Sequence, residues 1–88
     1  MSDVNIIVRS ADQTKKAEVS LPRESTGADI IQNAVENWSL PTDTDYQLTN
    51  ISQNSIIQPE NKLGEEIVKD NDILEVQPVL VAGLQWML

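Results

Sequence analysis

The chain has 88 residues, 40% of them hydrophobic, which suits one small domain; Ile, Val and Leu are plentiful and Phe is absent, so its core is aliphatic. It contains no Cys and no His, which excludes disulfide stapling, thiolate zinc sites and a cysteine nucleophile, and removes the commonest neutral-pH acid/base and metal ligand. A formal net charge of -8, from 14 acidic and 6 basic residues, repels phosphate backbones and anionic lipid, so neither nucleic acid nor membrane is an expected partner.

Met1-Ser2-Asp3 leads directly into a strand-like run, without the basic region and apolar stretch of a secretory signal. No segment approaches about 18 consecutive apolar residues. A soluble, cytoplasmic protein is expected. Val4, Ile6 and Val8 alternate with Asn5, Ile7 and Arg9, the period of a half-buried strand. Ser10 to Thr14 is turn-like. Ala17, Val19 and Leu21 then alternate with Glu18 and Ser20 in a second strand, and the short connection makes the pair a hairpin. Pro22 ends it.

The one convincing helix runs from Thr26 to Trp38. Thr26 caps it, with Asp29 three residues later as a weaker capping box. Ile30, Ile31, Ala34, Val35 and Trp38 fall on one face, and Trp38 is expected to close the helix onto a sheet. Ser39-Leu40-Pro41 stops it. Tyr46 and Leu48 read as a short third strand, and Ser55 to Gln58 as a very short fourth. Leu63, with Ile67, is expected to plug the core from a single helical turn or loop. An Asn71-Asp72 turn launches the last strand, with Leu74, Val76 and Pro78 on one face and Ile73, Glu75 and Gln77 on the other.

The order strand, strand, helix, strand, short strand, strand predicts an α+β fold with one helix packed across a mixed sheet of four to five strands. The helix supplies the crossover that lets the first and last strands lie parallel at the centre. No catalytic group stands out. Gly occurs only at 27, 64 and 83, so there is no glycine-rich phosphate loop, and the adjacent Glu65 and Glu66 read as solvated charge. No enzyme activity, cofactor or metal is expected, and a monomer is.

The last stretch is the most informative. The final strand runs into an uncharged arm, Val79-Leu80-Val81-Ala82-Gly83, followed by Leu84-Gln85-Trp86-Met87-Leu88. Ala82 and Gly83 form a small pair just before those five residues, which suggests a cleavage point after Gly83. The order and spacing from Val4 to Gly83 resemble the β-grasp fold of ubiquitin. The match is strongest from Leu63 to Gly83, where Ala82-Gly83 falls at the terminal Gly-Gly of ubiquitin-like modifiers. Within that superfamily the chain looks most similar to the bacterial YukD-type ubiquitin-like proteins.

The resemblance implies a domain over residues 1–81 and a tail over 82–88, with 84–88 a propeptide. It implies cleavage between Gly83 and Leu84, activation as an adenylate and isopeptide conjugation to target proteins. The partners would be activating and conjugating enzymes and a JAB-type or other processing peptidase. Thr49, Glu75 and Gln77 fall on the face that ubiquitin uses for recognition and, with Val79, Leu80 and Val81, make up a candidate partner-binding surface. Those three are polar, so readers of ubiquitin itself should not bind. Two alternatives stand beside the propeptide: the last residues belong to the native fold, with Trp86 against the sheet, or they form a docking peptide that is never cut. The alternative function is a non-conjugated accessory module, for example of a type VII secretion system, and the departure from Gly-Gly at Ala82 speaks for it.

Overall fold

The computed structural model describes residues 3–79. Two strands form the opening hairpin, β1 (Asp3–Ser10) and β2 (Lys16–Pro22). The helix is α1 (Gly27–Trp38), and three further strands follow: β3 (Tyr46–Asn50), β4 (Ser55–Ile57) and β5 (Asp72–Pro78). They form one five-stranded sheet in the order β2-β1-β5-β3-β4. β1 and β5 pair in parallel, with Val8 beside Leu74 and Ser10 beside Val76. β2 on one side and β3 and β4 on the other are antiparallel to their neighbours. This is the expected β-grasp, with the first and last strands central.

Local chemistry accounts for the boundaries. In the hairpin turn the Asp12 carboxylate accepts from Ser10 Oγ at 2.6 Å, Thr14 Oγ1 at 2.8 Å and the Thr14 N–H at 3.1 Å. These hydrogen bonds, that of the Ser10 hydroxyl foremost, pull its pKa down to about 2. Thr26 caps α1 reciprocally with Asp29, as the sequence predicts. The helix ends where Ser39 turns left-handed at φ 54°. Gly27 has a separate reason to be glycine. Its N–H and that of Ala28 are bonded to the carbonyls of Asn61 and Pro59, so the segment carrying Gln58 to Asn61 lies against the helix start. A Cβ at Gly27 would stand 2.7 Å from the Gln58 carbonyl oxygen.

The core lies between α1 and one face of the sheet. Val4, Ile6 and Val8 alternate into it from β1, Leu74 and Val76 from β5, Leu48 from β3 and Ile57 from β4, beneath Ile30 and Ala34 of the helix. Ile31 and Val35, expected to be buried, are only half-buried, because the helix face that meets the sheet is narrower than its apolar stripe. Leu63 plugs the core as expected, fully buried. Its companion is Val68, also fully buried, with Ile67 half-buried beside it. Residues 65–67 make a hydrogen-bonded turn, closed by bonds from the Ile67 and Val68 N–H groups to the Gly64 carbonyl, each 2.9 Å. Arg23 fixes this segment with one Nη, which donates to the carbonyls of Leu63 at 2.9 Å and Val68 at 3.0 Å.

Pro78 shares the phase of Leu74 and Val76, as expected, and at the sheet's end, opposite Tyr46, it is exposed. One expectation about β5 is corrected. Asp72 is not a turn residue. Asn71 alone takes the left-handed conformation, at φ 72°, and Asp72 opens the strand as a buried carboxylate. Its Oδ2 accepts from Asn50 Nδ2 at 2.9 Å, Gln53 Nε2 at 2.7 Å and the Lys69 N–H at 2.8 Å. Asn50 is itself fully buried and gives a second hydrogen bond to the Ile67 carbonyl at 3.1 Å. A buried carboxylate persists only with such donors, and together they tie the β3–β4 turn to the approach to β5.

Candidate functional site

The face of the sheet turned away from α1 is built by the opposite phase of the same strands. Arg9 on β1, Glu75 and Gln77 on β5, and Gln47 and Thr49 on β3 alternate outward while their neighbours alternate into the core. The registers set Arg9 beside Glu75, Glu75 beside Thr49, and Gln77 beside Gln47. The expected face residues Thr49, Glu75 and Gln77 therefore stand together, and Arg9 and Gln47 join them.

Their side chains form a branched chain of hydrogen bonds that runs from Thr49 and Gln47 through Gln77 and Glu75 to Arg9. Thr49 Oγ1 at 3.0 Å and Gln47 Nε2 at 3.2 Å donate to Gln77 Oε1. Gln77 Nε2 donates onward to Glu75 Oε1 at 2.6 Å. Arg9 Nε donates to Glu75 Oε2 at 2.8 Å, the one ion pair among the described residues. The sequence places Glu75 as a polar residue of the candidate partner-binding surface. It is 7% exposed, because both of its oxygens are engaged and its neighbours lie over it. Ile7 and Ile73, paired on the same face, are half-buried, and Ile56 on β4 is 54% exposed. The face thus joins a satisfied polar centre to a row of aliphatic groups, with Ile73 paired to Ile7 on one side and hydrogen-bonded through its carbonyl to the N–H of the exposed Ile51 on the other.

Val79 leaves the sheet beyond Pro78. Its N–H donates to the Asp45 carbonyl at 2.8 Å, and its side chain is exposed. Beside this exit a shallow cleft is lined by Ala11, Leu40, Pro41, Tyr46 and Pro78, with the Tyr46 hydroxyl donating to the Pro41 carbonyl at 2.8 Å. Leu80, Val81, Ala82, Gly83 and Leu84, the remaining expected site residues, lie outside the described residues, as does the boundary between domain and tail.

Arg9 and Gln47 do not stand out in the sequence as members of this face; Arg9 carries the clearer signal. Its signal was present: on the outward phase of the first strand, a lone cation two residues after Ile7, facing a strand that carries Glu75 two residues after Ile73. Among the described residues no three His, Cys, Asp or Glu side chains are grouped to hold a metal ion, and no helix is long and apolar enough to cross a membrane.

No protein-family profile matches the chain, and no curated protein does. Solved structures do. Ubiquitin from Caldiarchaeum subterraneum superposes with a TM-score of 0.72 at 19% identity, over 93% of this chain and 100% of that one. A de novo protein designed on ubiquitin superposes with a TM-score of 0.72 at 14% identity, over 91% and 93% of the two chains. A chain from a structure concerned with molecular mimicry of SUMO in promoting DNA repair gives 0.69 at 18% identity, over 91% and 94%. At such identities the likeness is one of fold: this chain has the ubiquitin-like β-grasp fold, with a five-stranded mixed sheet and one helix across it.

Proposed function

We propose that the chain is the precursor of a ubiquitin-like protein modifier, a non-enzymatic module that acts by binding and by being joined to other proteins. The observation that supports this best is the placement of β5. It is the central strand, locked in parallel to β1, and it delivers the chain at Val79 to one end of the sheet. Four residues further on comes Gly83, preceded by Ala82. A rigid body presenting a strand-borne arm is what an activating enzyme needs, because main-chain pairing can guide an extended arm into its active site.

A peptidase, JAB-type in the bacterial YukD-like setting that the sequence suggests, cuts between Gly83 and Leu84 and frees the Gly83 carboxylate. That carboxylate attacks the α-phosphate of ATP, forming an acyl adenylate and releasing pyrophosphate. Transfer to an enzyme thiol and then to a target lysine amine gives the isopeptide and returns AMP. The modifier itself contributes only the carboxylate and its recognition surfaces. The outer sheet face, polar at Arg9, Gln47, Thr49 and Gln77 around the buried Glu75 and aliphatic at Ile7, Ile73 and Ile56, serves as the recognition surface, with Val79, Leu80 and Val81 as the arm's own contacts.

The test is mass spectrometry on protein recovered from its native cell. Trypsin's last site in the chain is Lys69, so a conjugated target carries residues 70–83 on the modified lysine. Finding that branched peptide, and losing it in Gly83→Glu while the domain still folds, establishes the reading. A mass that retains Leu84 onward under all conditions, with no branched peptide, refutes it. The second reading, a non-conjugated accessory module such as one serving a type VII secretion system, is favoured by Ala82 standing where a modifier carries glycine. It takes over in that outcome, and co-purification with secretion components would then identify it.

A further inference from the structure

The helix does not close the sheet over β2. Val4, Ile6 and Val8 are buried, yet their cross-strand partners Leu21, Val19 and Ala17 are only half-buried. Between α1 and this edge strand lies an open groove of about 180 Å³, with a mainly apolar wall that includes Val8, Ala17, Val19, Ala34 and Trp38. Asn37 stands at its lip. Its Nδ2 donates to the Asn33 carbonyl at 2.8 Å, and its Oδ1 accepts nothing among the described residues. An apolar trough beside one free amide oxygen matches an indole, which is apolar over its rings and carries a single N–H donor.

The strand registers show where such a group can come from. Val8 lies opposite Ala17, and Ser10 lies beside Val76. The Val8–Ala17–Trp38 end of the groove and the exit of β5 are therefore at the same end of the sheet. β2 and β5 flank β1, about 10 Å apart by two strand spacings. Trp86 is seven residues beyond Val79, and a chain of that length spans up to about 24 Å. Between Val79 and Leu88 there is no charged side chain to resist an apolar seat, and Leu84, Trp86, Met87 and Leu88 supply apolar groups for it.

We propose that residues 84–88 dock in cis in the α1–β2 groove, with the Trp86 indole against Trp38 and Val19 and its Nε1–H donated to Asn37. Delivery within one chain is favoured over a second copy by the high effective concentration of a short tether, and by the mutual repulsion of two bodies of net charge -8. The consequence rests on the trimming reading above: one cut after Gly83 both frees the carboxylate and uncovers the groove. Uncut and cut forms then present different surfaces, so a partner that needs the groove meets only the mature protein.

The experiment compares isotope-labelled full chain with a chain stopped at Gly83, by NMR at two dilutions. The expected result is nuclear Overhauser contacts from the Trp86 ring to the Val19 and Ala34 methyl groups in the full chain. Truncation and Trp86→Ala should both move the amide signals of Ala17, Val19, Ala34, Asn37 and Trp38. Absence of those contacts, with shifts confined to the neighbours of Val79, overturns the proposal. Contacts that disappear on dilution assign the seat to a second copy and also overturn it. The outcome is separable from that of the trimming reading: a tail that docks but is never cut keeps the seat and loses the switch, and a tail that is cut but never docks does the reverse.

Discussion

Leu74→Ala is the sharpest test of the packing. Leu74 is fully buried on β5, between Val8 of β1 and Asn50 of β3. The substitution deletes three carbon atoms, and at about 0.8 kcal/mol for each buried methylene the transfer loss is about 2.4 kcal/mol. The two strands that flank it are held by ladder hydrogen bonds, so the hole cannot collapse and a cavity cost of about 1 kcal/mol is added, for a total near 3–4 kcal/mol. A domain of 88 residues has about 4–13 kcal/mol in all, so the loss takes at least about a quarter of the total stability. Urea unfolding followed by far-ultraviolet circular dichroism reads the effect. With an m-value of roughly 1 kcal/mol/M the midpoint should fall by about 3 M. Ile56→Ala, at a side chain 54% exposed on the far face, is the control and should stay within about 0.5 kcal/mol. A loss below about 1 kcal/mol for Leu74→Ala, at unchanged m, would refute the assignment of Leu74 to the helix-facing phase of β5.

Two further outcomes follow from the polar groups. Burial acts to raise the pKa of Asp72, but the hydrogen bonds from Asn50, the Lys69 N–H and Gln53, with the charge of Lys69, outweigh it and leave the pKa lowered. A lowered folded pKa contributes stability that is full above the unfolded value of about 3.9 and is lost as pH falls through the folded one. Asp72→Asn should therefore flatten the acid limb of the stability–pH curve below about pH 4, while Asp12 titrates equally in both proteins and cancels; superimposable acid limbs would contradict this. Removing Glu75 leaves Arg9 Nε and Gln77 Nε2 without their acceptor, so Glu75→Ala should cost about 1–2 kcal/mol. Glu75→Ala and Arg9→Ala together should cost less than the sum of the two alone, and strict additivity in a double-mutant cycle would show that the pair is uncoupled.

The elements, their order and the side of each strand that enters the core are legible in the chain before it folds. Those follow from local quantities: the period-two alternation of Val4, Ile6 and Val8 and of Ala17, Val19 and Leu21, the helical spacing of Ile30 and Ala34, and the capping pair Thr26 and Asp29. The parallel pairing of the ends was legible as well, because a helix between hairpin and later strands leaves one short-looped way to close the sheet. Everything that depends on register between distant strands came from packing instead. The sequence shows Arg9, Thr49, Glu75 and Gln77 as separate polar residues. Only the β1–β5 and β5–β3 registers bring them into one hydrogen-bonded cluster and turn Glu75 from surface charge into a buried acceptor. The same holds for Asp72, which local pattern reads as a turn residue and which Asn50, Gln53 and the Lys69 N–H convert into a buried anchor. Val68 displaced Ile67 as the second plug because Arg23 fixes the turn that aims it inward. The partial exposure of β2 was likewise invisible in its alternation, since a strand's pattern tells which side faces the core but not how far a helix of twelve residues extends over it.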